Sequence, residues 1–271
     1  MIAVCIATYN QEQYIAQAIE SVLMQQCDEP MRIFIGDDAS TDRTSEICRR
    51  YAKQDERIVY YRREKNMGIV RNTIDLYRRI IATGCRYIAM LDGDDYWSTR
   101  DKLQMQINFL QAHPSYGFVH TASYALQNGE LTIETPYEAI PIGDISNQYR
   151  RSGAGQTNSS VVFLTRLLKE KDLDAIEAQH FRVLDYPLYG LFAQYTYFGY
   201  LDTPTTVWRV HDSTSHPKSV IRYGIYLFHY MRCWRWLEKC YPGKYGYTFL
   251  RAFYSWTSRM LYATWRRIKC L

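Results

Sequence analysis

The 271-residue sequence lacks the glycine-rich loops with which two large protein classes bind phosphate groups. No Gly-x-Gly-x-x-Gly follows the first predicted strand, and no Gly-x-x-x-x-Gly-Lys-Ser/Thr occurs anywhere in the chain. The first absence argues against a dinucleotide-binding fold, and the second argues against a P-loop nucleotide hydrolase. If this chain binds phosphate groups, a metal ion and basic side chains are the expected means of neutralising their charge.

Membrane-spanning and secretory features are also missing. The best apolar run, residues 223–231, is shorter than the roughly 18 residues that a membrane helix needs, and Arg232 follows it. The first residues lack the basic start and the cleavage site of a signal peptide. The seven cysteines include no Cys-x-x-Cys pair, which favours reduced structural thiols over a zinc or redox centre. We therefore expect a cytoplasmic protein that does not cross a membrane.

The first hundred residues alternate short β-rich runs with amphipathic helical patterns, which predicts an α/β fold with a mostly parallel sheet. The predicted strands are residues 2–7, 32–36, 58–61 and 87–91, and the predicted helices are 11–26, 41–54 and 69–82. Asn10 is the expected N-cap of the first helix. Later residues predict a mixture of strands and helices, with a strand over 158–165, helices over 166–179 and 186–194, and a hairpin turn at Asn128-Gly129.

Three polar clusters follow predicted strands, at the edge where open α/β sheets bind their ligands. They are Thr8-Tyr9-Asn10, Asp37-Asp38 and Asp92-Gly93-Asp94-Asp95. Carboxylate oxygens suit Mg²⁺ or Mn²⁺, so the last cluster predicts a site for a hard metal ion. Each cluster taken alone also fits an ordinary turn or helix cap, and the argument for function is their convergence at one edge.

Four segments together resemble the family 2 inverting glycosyltransferases of the GT-A fold. They are Ile6-Ala7-Thr8-Tyr9-Asn10, Gly36-Asp37-Asp38-Ala39-Ser40-Thr41-Asp42, Asn66-Met67-Gly68 and Leu91-Asp92-Gly93-Asp94-Asp95-Tyr96-Trp97. The resemblance is close over about residues 1–125, weaker to about residue 215, and absent beyond it. It implies a Rossmann-like, nucleotide-binding sheet flanked by helices. One departure is Ala39, which stands where the family usually has glycine and which we do not expect to affect activity.

The resemblance implies how the three clusters bind a nucleotide-sugar donor. Thr8 and one or both of Asp37 and Asp38 would hold the base and ribose, and Asp92 would reach the ribose region. The other nucleotide-binding positions that it implies are Tyr9, Asn10, Asn66 and Gly93. Asp94 would bind the Mn²⁺ or Mg²⁺ that bridges the diphosphate of the donor.

The resemblance also implies a catalytic base and a closing loop. An inverting transfer needs a base for the acceptor hydroxyl, and Asp185 resembles the acidic residue that the family places at a helix start. The family's usual Glu-Asp pair is Leu184-Asp185 here, and a simple N-cap is the alternative. His211 would help to hold the metal and Arg209 the diphosphate as a lid closes; a lone surface histidine is the alternative.

The C-terminal segment has a different composition. Residues 213–271 contain eleven Lys and Arg residues against Glu238 alone, and aromatic residues are interspersed among them. This mixture suits an anionic membrane surface, whereas a helical hairpin packed on the catalytic domain is the alternative. We predict a catalytic domain over residues 1–215, with a nucleotide-sugar half (1–115) and an acceptor half (116–215), and a helical extension over 216–271. No recognisable nucleic-acid-binding module accompanies the basic residues.

The function predicted from these residues is transfer of a sugar, with inversion, from a nucleotide diphosphate donor, a UDP-sugar above all, to an acceptor hydroxyl. The expected acceptor is a lipid-linked glycan in bacterial surface polysaccharide or lipopolysaccharide assembly, at the inner face of the cytoplasmic membrane. Two alternatives remain. One is a sugar-nucleotide nucleotidyltransferase, and the other is a non-catalytic sugar-nucleotide-binding or membrane scaffold protein.

Overall fold

Long apolar runs produce the central strands of the sheet. The computed structural model of the protein describes residues 1–134, 157–211 and 220–245. The strands are β1 (Ile2–Thr8), β2 (Met31–Asp37), β3 (Ile58–Arg62), β4 (Tyr87–Asp92), β5 (Tyr96–Trp97), β6 (Tyr116–Gln127), β7 (Glu130–Glu134), β8 (Val162–Leu164) and β9 (Tyr197–Arg209). Every residue of β1 is buried, as expected for a parallel strand that is covered on both faces.

Helices cover the sheet on both faces. They are α1 (Ile15–Leu23), α2 (Thr44–Gln54), α3 (Ile69–Ile81), α4 (Lys102–Ala112), α5 (Glu170–Ala178), α6 (Asp185–Phe192) and α7 (Val220–Cys240), with short 3₁₀ turns at Asn158–Ser160 and Thr165–Leu167. One apolar cluster joins β1 to α1 and α4 through side chains such as Ile19 and Ile107. The other joins the sheet to α3, α6 and α7 through Ile74, Leu188 and Trp234. The sheet is therefore the middle layer of three.

The strand order places the ends of β1, β2 and β4 side by side. The described strands form one sheet in the order β3-β2-β1-β4-β8-β6-β9-β5, with β7 paired to β6. Strands β3, β2, β1 and β4 are mutually parallel, β8 is antiparallel to β4 and β6, and β6 is parallel to β9. The short strand β5 pairs with β9, so the end of β9 returns to the turn after β4. The predicted α/β class is confirmed.

Several local predictions are confirmed and others are wrong in detail. The Asn128-Gly129 turn joins β6 to β7, with φ angles of 53° and 84° at the two residues. Asn10 does not cap α1, which begins only at Ile15, because its side chain bonds to the neighbouring loop. The strand predicted to begin at residue 158 opens instead as the 3₁₀ turn at Asn158–Ser160, since backbone N–H groups there bond within the turn. The helix predicted from residue 166 begins at Glu170.

The described end of α7 packs on α6 and the helices that cover one face of the sheet. Cys233, Trp234 and Leu237 are fully buried in the same apolar cluster as α6. A Cβ atom at Gly190 would lie 2.4 Å from Leu237 Cδ1, so only glycine lets α6 approach α7 this closely. This part of the extension is therefore packed on the rest of the protein, as in the alternative to a membrane-facing helix. Residues 246–271 lie outside the described part of the chain, and no described helix is long and apolar enough to cross a membrane.

Candidate active site

The loop after β1 is fastened to the loop after β2. The backbone N–H of Asn10 donates to Ser40 Oγ at 3.0 Å, and Asn10 Oδ1 accepts the backbone N–H of Thr41 at 2.8 Å. The backbone N–H of Gln11 donates to Thr44 Oγ1 at 2.8 Å. Asn10 has a φ of 53°, a left-handed conformation that asparagine tolerates through local hydrogen bonding. Asn10 thus joins two strand ends, and its contact with a nucleotide stays a prediction.

Gly93 allows the turn after β4 to pass close to the end of β1. A Cβ atom at Gly93 would lie 2.2 Å from Gln11 Oε1 and 2.9 Å from Thr8 Oγ1. The Thr8 hydroxyl donates to the same Gln11 oxygen at 2.6 Å. Thr8, Gln11 and Gly93 therefore form one closely packed corner between the two strand ends.

Asp37 holds the turn after β2 together through buried hydrogen bonds. It is fully buried, and its carboxylate accepts the Ser40 backbone N–H at 2.8 Å and the hydroxyls of Ser45 and Tyr60 at 2.5 and 2.6 Å. Burial disfavours the charged form, but these hydrogen bonds outweigh it and hold the pKa of Asp37 below its usual value. All of these contacts hold the Asp37 carboxylate inside the turn.

Asp38 faces the cavity at this edge of the sheet. Its two oxygens accept the backbone N–H groups of Met67 and Gly68, each at 2.8 Å, which fixes the loop before α3. The cavity, called the Thr8 cavity below, is lined by Ala7, Thr8, Tyr9, Gln11, Asp38, Asn66, Gly68, Ile69 and Asn72. Four predicted nucleotide-binding residues, Thr8, Tyr9, Asp38 and Asn66, thus meet in one cavity, whereas Asp37 does not line it.

A hydrogen-bonded chain connects Asp92 to α6. Asn158 Nδ2 donates to Asp92 Oδ1 at 2.8 Å, and the Tyr189 hydroxyl donates to Asn158 Oδ1 at 2.6 Å. Burial and the nearby Asp94 carboxylate raise the pKa of Asp92 to about 7, although the Asn158 hydrogen bond opposes this shift. The position of Asp92 is therefore coupled, through one amide, to the helix that begins at Asp185.

Asp95 is the buried carboxylate of the turn after β4, called the acidic turn below (residues 92–95). It is buried, and its carboxylate accepts the Ser159 hydroxyl at 2.6 Å and the backbone N–H of Arg209 at 3.0 Å. Burial raises the pKa of Asp95 well above its usual value, and the carboxylates of Asp94 and Asp92 add to the shift. Asp95 ties the turn to β9 and points away from solvent.

Asp94 is the carboxylate of the turn that pairs with His211. Asp94 Oδ2 lies 3.0 Å from His211 Nε2, and both side chains are just under one-fifth exposed. The Tyr14 ring stacks on the His211 ring with centroids 5.0 Å apart. The structure therefore brings the two predicted metal ligands together at the end of β9.

The donor set at this pair fits a hard divalent cation. Among the residues that the structure describes, no group of three or more His, Cys, Asp or Glu residues could hold a metal ion. The two donor atoms of the predicted site would be Asp94 Oδ2 and His211 Nε2. Mg²⁺ sites that act on nucleotides commonly use one or two carboxylates and complete their coordination with water and substrate phosphates.

Arg209 is held between aromatic rings. Its guanidinium lies 4.6 Å from the Tyr96 ring centroid and 5.1 Å from that of Tyr14, and it donates to the Asp94 carbonyl and the Gln17 side chain. These contacts bind the acidic turn to α1 and β9. The predicted contact of Arg209 with a diphosphate stays a prediction.

Asp185 lies in a second cavity, next to the Thr8 cavity. This Asp185 cavity is lined by Asp92, Asn158, Arg182, Asp185 and Tyr189, among others, and Ile69 lines both cavities. Burial raises the pKa of Asp185 to about 6, although backbone N–H groups at the helix start oppose the shift. Asp185 is the first residue of α6, with Leu184 at the N-cap position. A carboxyl group with this pKa is suited to accept a proton near neutral pH.

Several contributors were absent from the sequence-based prediction. Gln11, Tyr14, Asn158, Ser159 and Tyr189 contact the predicted residues but carry no motif of their own. Asn72 is a further such residue: it is fully buried and lines the Thr8 cavity. The apolar positions around it, Val70, Ile74 and Leu76, place Asn72 on the inner face of α3, and this helical spacing was the available signal.

One family model and several known proteins match this chain. Residues 3–183 match the family model described as glycosyl transferase family 2. A putative teichuronic acid biosynthesis glycosyltransferase, TuaG of Bacillus subtilis, is 36% identical over 112 residues, which cover 41% of this chain and 42% of that protein. An uncharacterized protein of Mycobacterium tuberculosis is 36% identical over 108 residues, or 40% of this chain and 30% of that protein. The chain thus spans less than half the length of these curated relatives.

Solved structures share the fold at low sequence identity. TarS of S. aureus in complex with UDP-GlcNAc superposes with a TM-score of 0.62 at 17% identity, covering 87% of this chain and 65% of that one. The mannosyltransferase PcManGT of Pyrobaculum calidifontis, in complex with GDP-Man and Mn²⁺, gives a TM-score of 0.58 at 16% identity, covering 93% and 68%. The GT-A fold expected from the sequence is confirmed.

Proposed function

The chain belongs to glycosyl transferase family 2, and we propose that it transfers a sugar from a nucleotide diphosphate donor to an acceptor hydroxyl. The observation that carries the proposal is the convergence of three strand ends on two adjoining cavities. Thr8 and Asp38 line the first cavity, and Asp185 lines the second together with Asp92. A donor and an acceptor can thus lie side by side.

The Thr8 cavity is the proposed site of the donor nucleotide. Asp38 is fixed by two backbone N–H groups and still borders the cavity, so its remaining lone pairs can accept hydrogen bonds from a base. The exposed ring of Tyr9 offers an apolar surface at the same rim. The related structures were solved with UDP-GlcNAc and with GDP-Man, and we infer a UDP-sugar as the donor of this chain.

Asp94 and His211 are the proposed protein ligands of a Mn²⁺ or Mg²⁺ ion. Such an ion neutralises charge on the departing nucleoside diphosphate when it is bound. Asp95 and Arg209 hold the turn that carries Asp94 in place, through the bonds to Ser159 and β9. The related mannosyltransferase was solved with Mn²⁺, which supports this choice of ion.

Asp185 is the proposed base of an inverting, single-displacement transfer. Its carboxylate takes the proton of the acceptor hydroxyl while the acceptor oxygen bonds to the anomeric carbon from the face opposite the leaving group. The bond from that carbon to the diphosphate oxygen breaks, and the nucleoside diphosphate leaves with the electron pair. A base positioned in this way contributes about 10²- to 10⁴-fold to the rate.

A lipid-linked glycan of bacterial surface polysaccharide or lipopolysaccharide assembly is the proposed acceptor. The similarity to TuaG, whose name refers to teichuronic acid biosynthesis, supports a surface glycan. We propose a cytoplasmic location at the inner face of the membrane, with the basic residues of 222–271 facing anionic lipid. The domain limits, residues 1–215 and 216–271, remain part of this proposal.

Hydrolysis of a panel of UDP-, GDP- and dTDP-sugars, with Mn²⁺ or with EDTA, tests the proposed function. Metal-dependent hydrolysis of one donor by the wild type, lost in Asp94→Ala, is the expected result. Tight donor binding without turnover would favour the non-catalytic binding protein instead. A sugar-nucleotide nucleotidyltransferase would form a nucleotide sugar from a nucleoside triphosphate and a sugar phosphate, and the same panel with these substrates detects it.

A further inference from the structure

A groove next to the Asp185 cavity collects basic side chains that the proposed transfer does not use. Its lining includes Ile69, Arg71, Glu177, His180, Phe181 and Arg182. Arg182 and Ile69 also line the Asp185 cavity, so the groove and the cavity are continuous. We call this surface the basic groove.

Helix α7 adds the cation of Arg232 and the imidazole of His229 at the same place. Arg232 Nη2 donates to the Gln179 carbonyl at 2.9 Å, and the Arg232 guanidinium lies 5.7 Å from the Phe181 ring centroid. His229 is close enough that burial and the charges of Arg182 and Arg232 lower the pKa of its imidazole. Helix α7 therefore places one cation, the Arg232 guanidinium, beside the basic groove.

The acidic residue of the groove does not cancel this charge. The Glu177 carboxylate contacts Arg78 at 3.1 Å as well as Arg71 at 3.7 Å, so it is shared with a cation outside the groove. Within the described residues, Arg182 forms no salt bridge and its side chain is exposed. Like charges brought together repel one another, and an anionic ligand would relieve the repulsion.

We propose that the basic groove binds a phosphate group on the acceptor, and that Arg182 is the residue that recognises it. A guanidinium presents paired N–H donors that match two phosphate oxygens. The donor diphosphate has its own proposed partner, the metal ion at Asp94, which lies at the end of β4 rather than beside α5 and α6. The groove instead adjoins Asp185, where the acceptor hydroxyl must lie. This inference rests on the proposed function and specifies the acceptor as a phosphate-bearing glycan or lipid.

Binding of small phosphate probes in the presence of saturating UDP and Mn²⁺ tests the proposal, because the donor site is then filled. The probes are glycerol 1-phosphate and glucose 1-phosphate for a glycan phosphate, and farnesyl phosphate for a lipid phosphate. Glycerol, glucose and farnesol are their neutral counterparts. We expect at least one phosphate probe to bind ten-fold more tightly than its counterpart, and its identity distinguishes the two phosphate sources.

Variants of Arg182 complete the test. Arg182→Gln should weaken the phosphate probe at least ten-fold, and Arg182→Lys should retain part of the affinity because it keeps the charge. Arg50→Gln, which removes an exposed arginine of α2 on another surface, is the matched control and should bind as the wild type does. Thermal unfolding of each variant checks that the fold is intact.

Two results would overturn the proposal. One is equal binding of every phosphate probe and its neutral counterpart by the wild type, and the other is undiminished phosphate binding by Arg182→Gln. Donor hydrolysis is measured in parallel on the same samples. If the wild type hydrolyses no donor, the proposed function fails whatever the phosphate titration gives. If donor hydrolysis is present but no phosphate probe is preferred, only the proposal of phosphate binding in the basic groove fails.

Discussion

The Nε2 atom of His211 lies 3.0 Å from Oδ2 of Asp94, although 117 residues separate the two in the chain. The β5–β9 pairing produces this proximity, because it returns the end of β9 to the acidic turn after β4. The same pairing aligns the backbone N–H of Arg209 with Asp95. The predicted metal site thus combines a residue after β4 with a residue after β9.

Replacing Asp94 by asparagine is expected to reduce donor hydrolysis by about 100-fold or more, because removing charge stabilisation at a leaving group commonly costs several kcal/mol. Initial rates at saturating Mn²⁺ measure the effect. Asp101→Asn is the control, since Asp101 is an exposed carboxylate near the same turn. If the Asp94→Asn enzyme is as active as the Asp101→Asn enzyme, Asp94 is not a ligand of the catalytic metal ion.

Replacing Asp185 by asparagine is expected to lower kcat for sugar transfer by about 10²- to 10⁴-fold with little change in donor KM, because a general base is lost. The pH profile gives a second measurement. Since the pKa of Asp185 is raised to about 6, the base is ionised above that pH and protonated below it, so the wild-type rate should fall as pH drops through 6. A flat profile between pH 5 and 7 would argue for a helix-start role alone.

Replacing Asn158 by alanine should destabilise the protein by about 1–3 kcal/mol, because it leaves both the Asp92 carboxylate and the Tyr189 hydroxyl without their partner. Urea unfolding measures this change. Asn108→Ala on the exposed face of α4 is the matched control. Tyr189→Phe removes only the second bond, and we expect it to lose less stability than Asn158→Ala does.

Replacing Gly93 by alanine should weaken donor binding about ten-fold, because the new Cβ would clash with the Gln11 side chain and push the turn after β4 away from Thr8, which lines the donor cavity. Titration of the donor nucleotide measures the loss. The double variant Gly93→Ala, Gln11→Ala removes the closest clash, and we expect it to recover part of the affinity. If Gly93→Ala binds the nucleotide as the wild type does, the corner is more adaptable than its packing indicates.

Ala39 offers a test of backbone strain. It has a φ of 63°, a left-handed conformation that costs a non-glycine residue about 1–2 kcal/mol. Ala39→Gly should therefore stabilise the protein by about 0.5–1 kcal/mol after the larger chain entropy of glycine is allowed for. Thermal unfolding measures the gain, and a lower melting temperature would contradict the expectation. We expect the activity of this variant to equal that of the wild type.

The sequence predicts the parallel half of the fold well, because apolar periodicity is a local signal. The strand ends and the acidic turn follow directly from it, so the sequence alone places Thr8, Asp38 and Asp94 at one edge of the sheet. The sequence does not show that Asp38 lines the cavity whereas Asp37 does not. This difference arises because Ser45 and Tyr60 bond to Asp37, whereas the loop at Met67 bonds to Asp38. Sequence alone does not show which of these groups bonds to which carboxylate.

The described residues after β7 were predicted less well, because their roles depend on tertiary contacts. Asn158 and Tyr189 become part of the site only through tertiary contacts, and nothing in their own neighbourhoods marks them. The partners of Arg209 show a related difficulty, because an arginine near a phosphate and an arginine between two tyrosines look alike in sequence. Sequence periodicity places elements, whereas the contacts between their ends decide which side chains remain available to a ligand.

The pairing of β5 with β9 has a consequence for how the protein acquires its site during synthesis. The acidic turn leaves the ribosome long before β9 does. The contacts of Asp95 with Arg209 and of Asp94 with His211 therefore form only after β9 has been synthesised. Contacts between residues so far apart in the chain form slowly, since a long loop must close before they contribute. The nascent first half therefore has the carboxylates of the acidic turn without these partners, and the Asp94–His211 pair forms only when β9 joins the sheet.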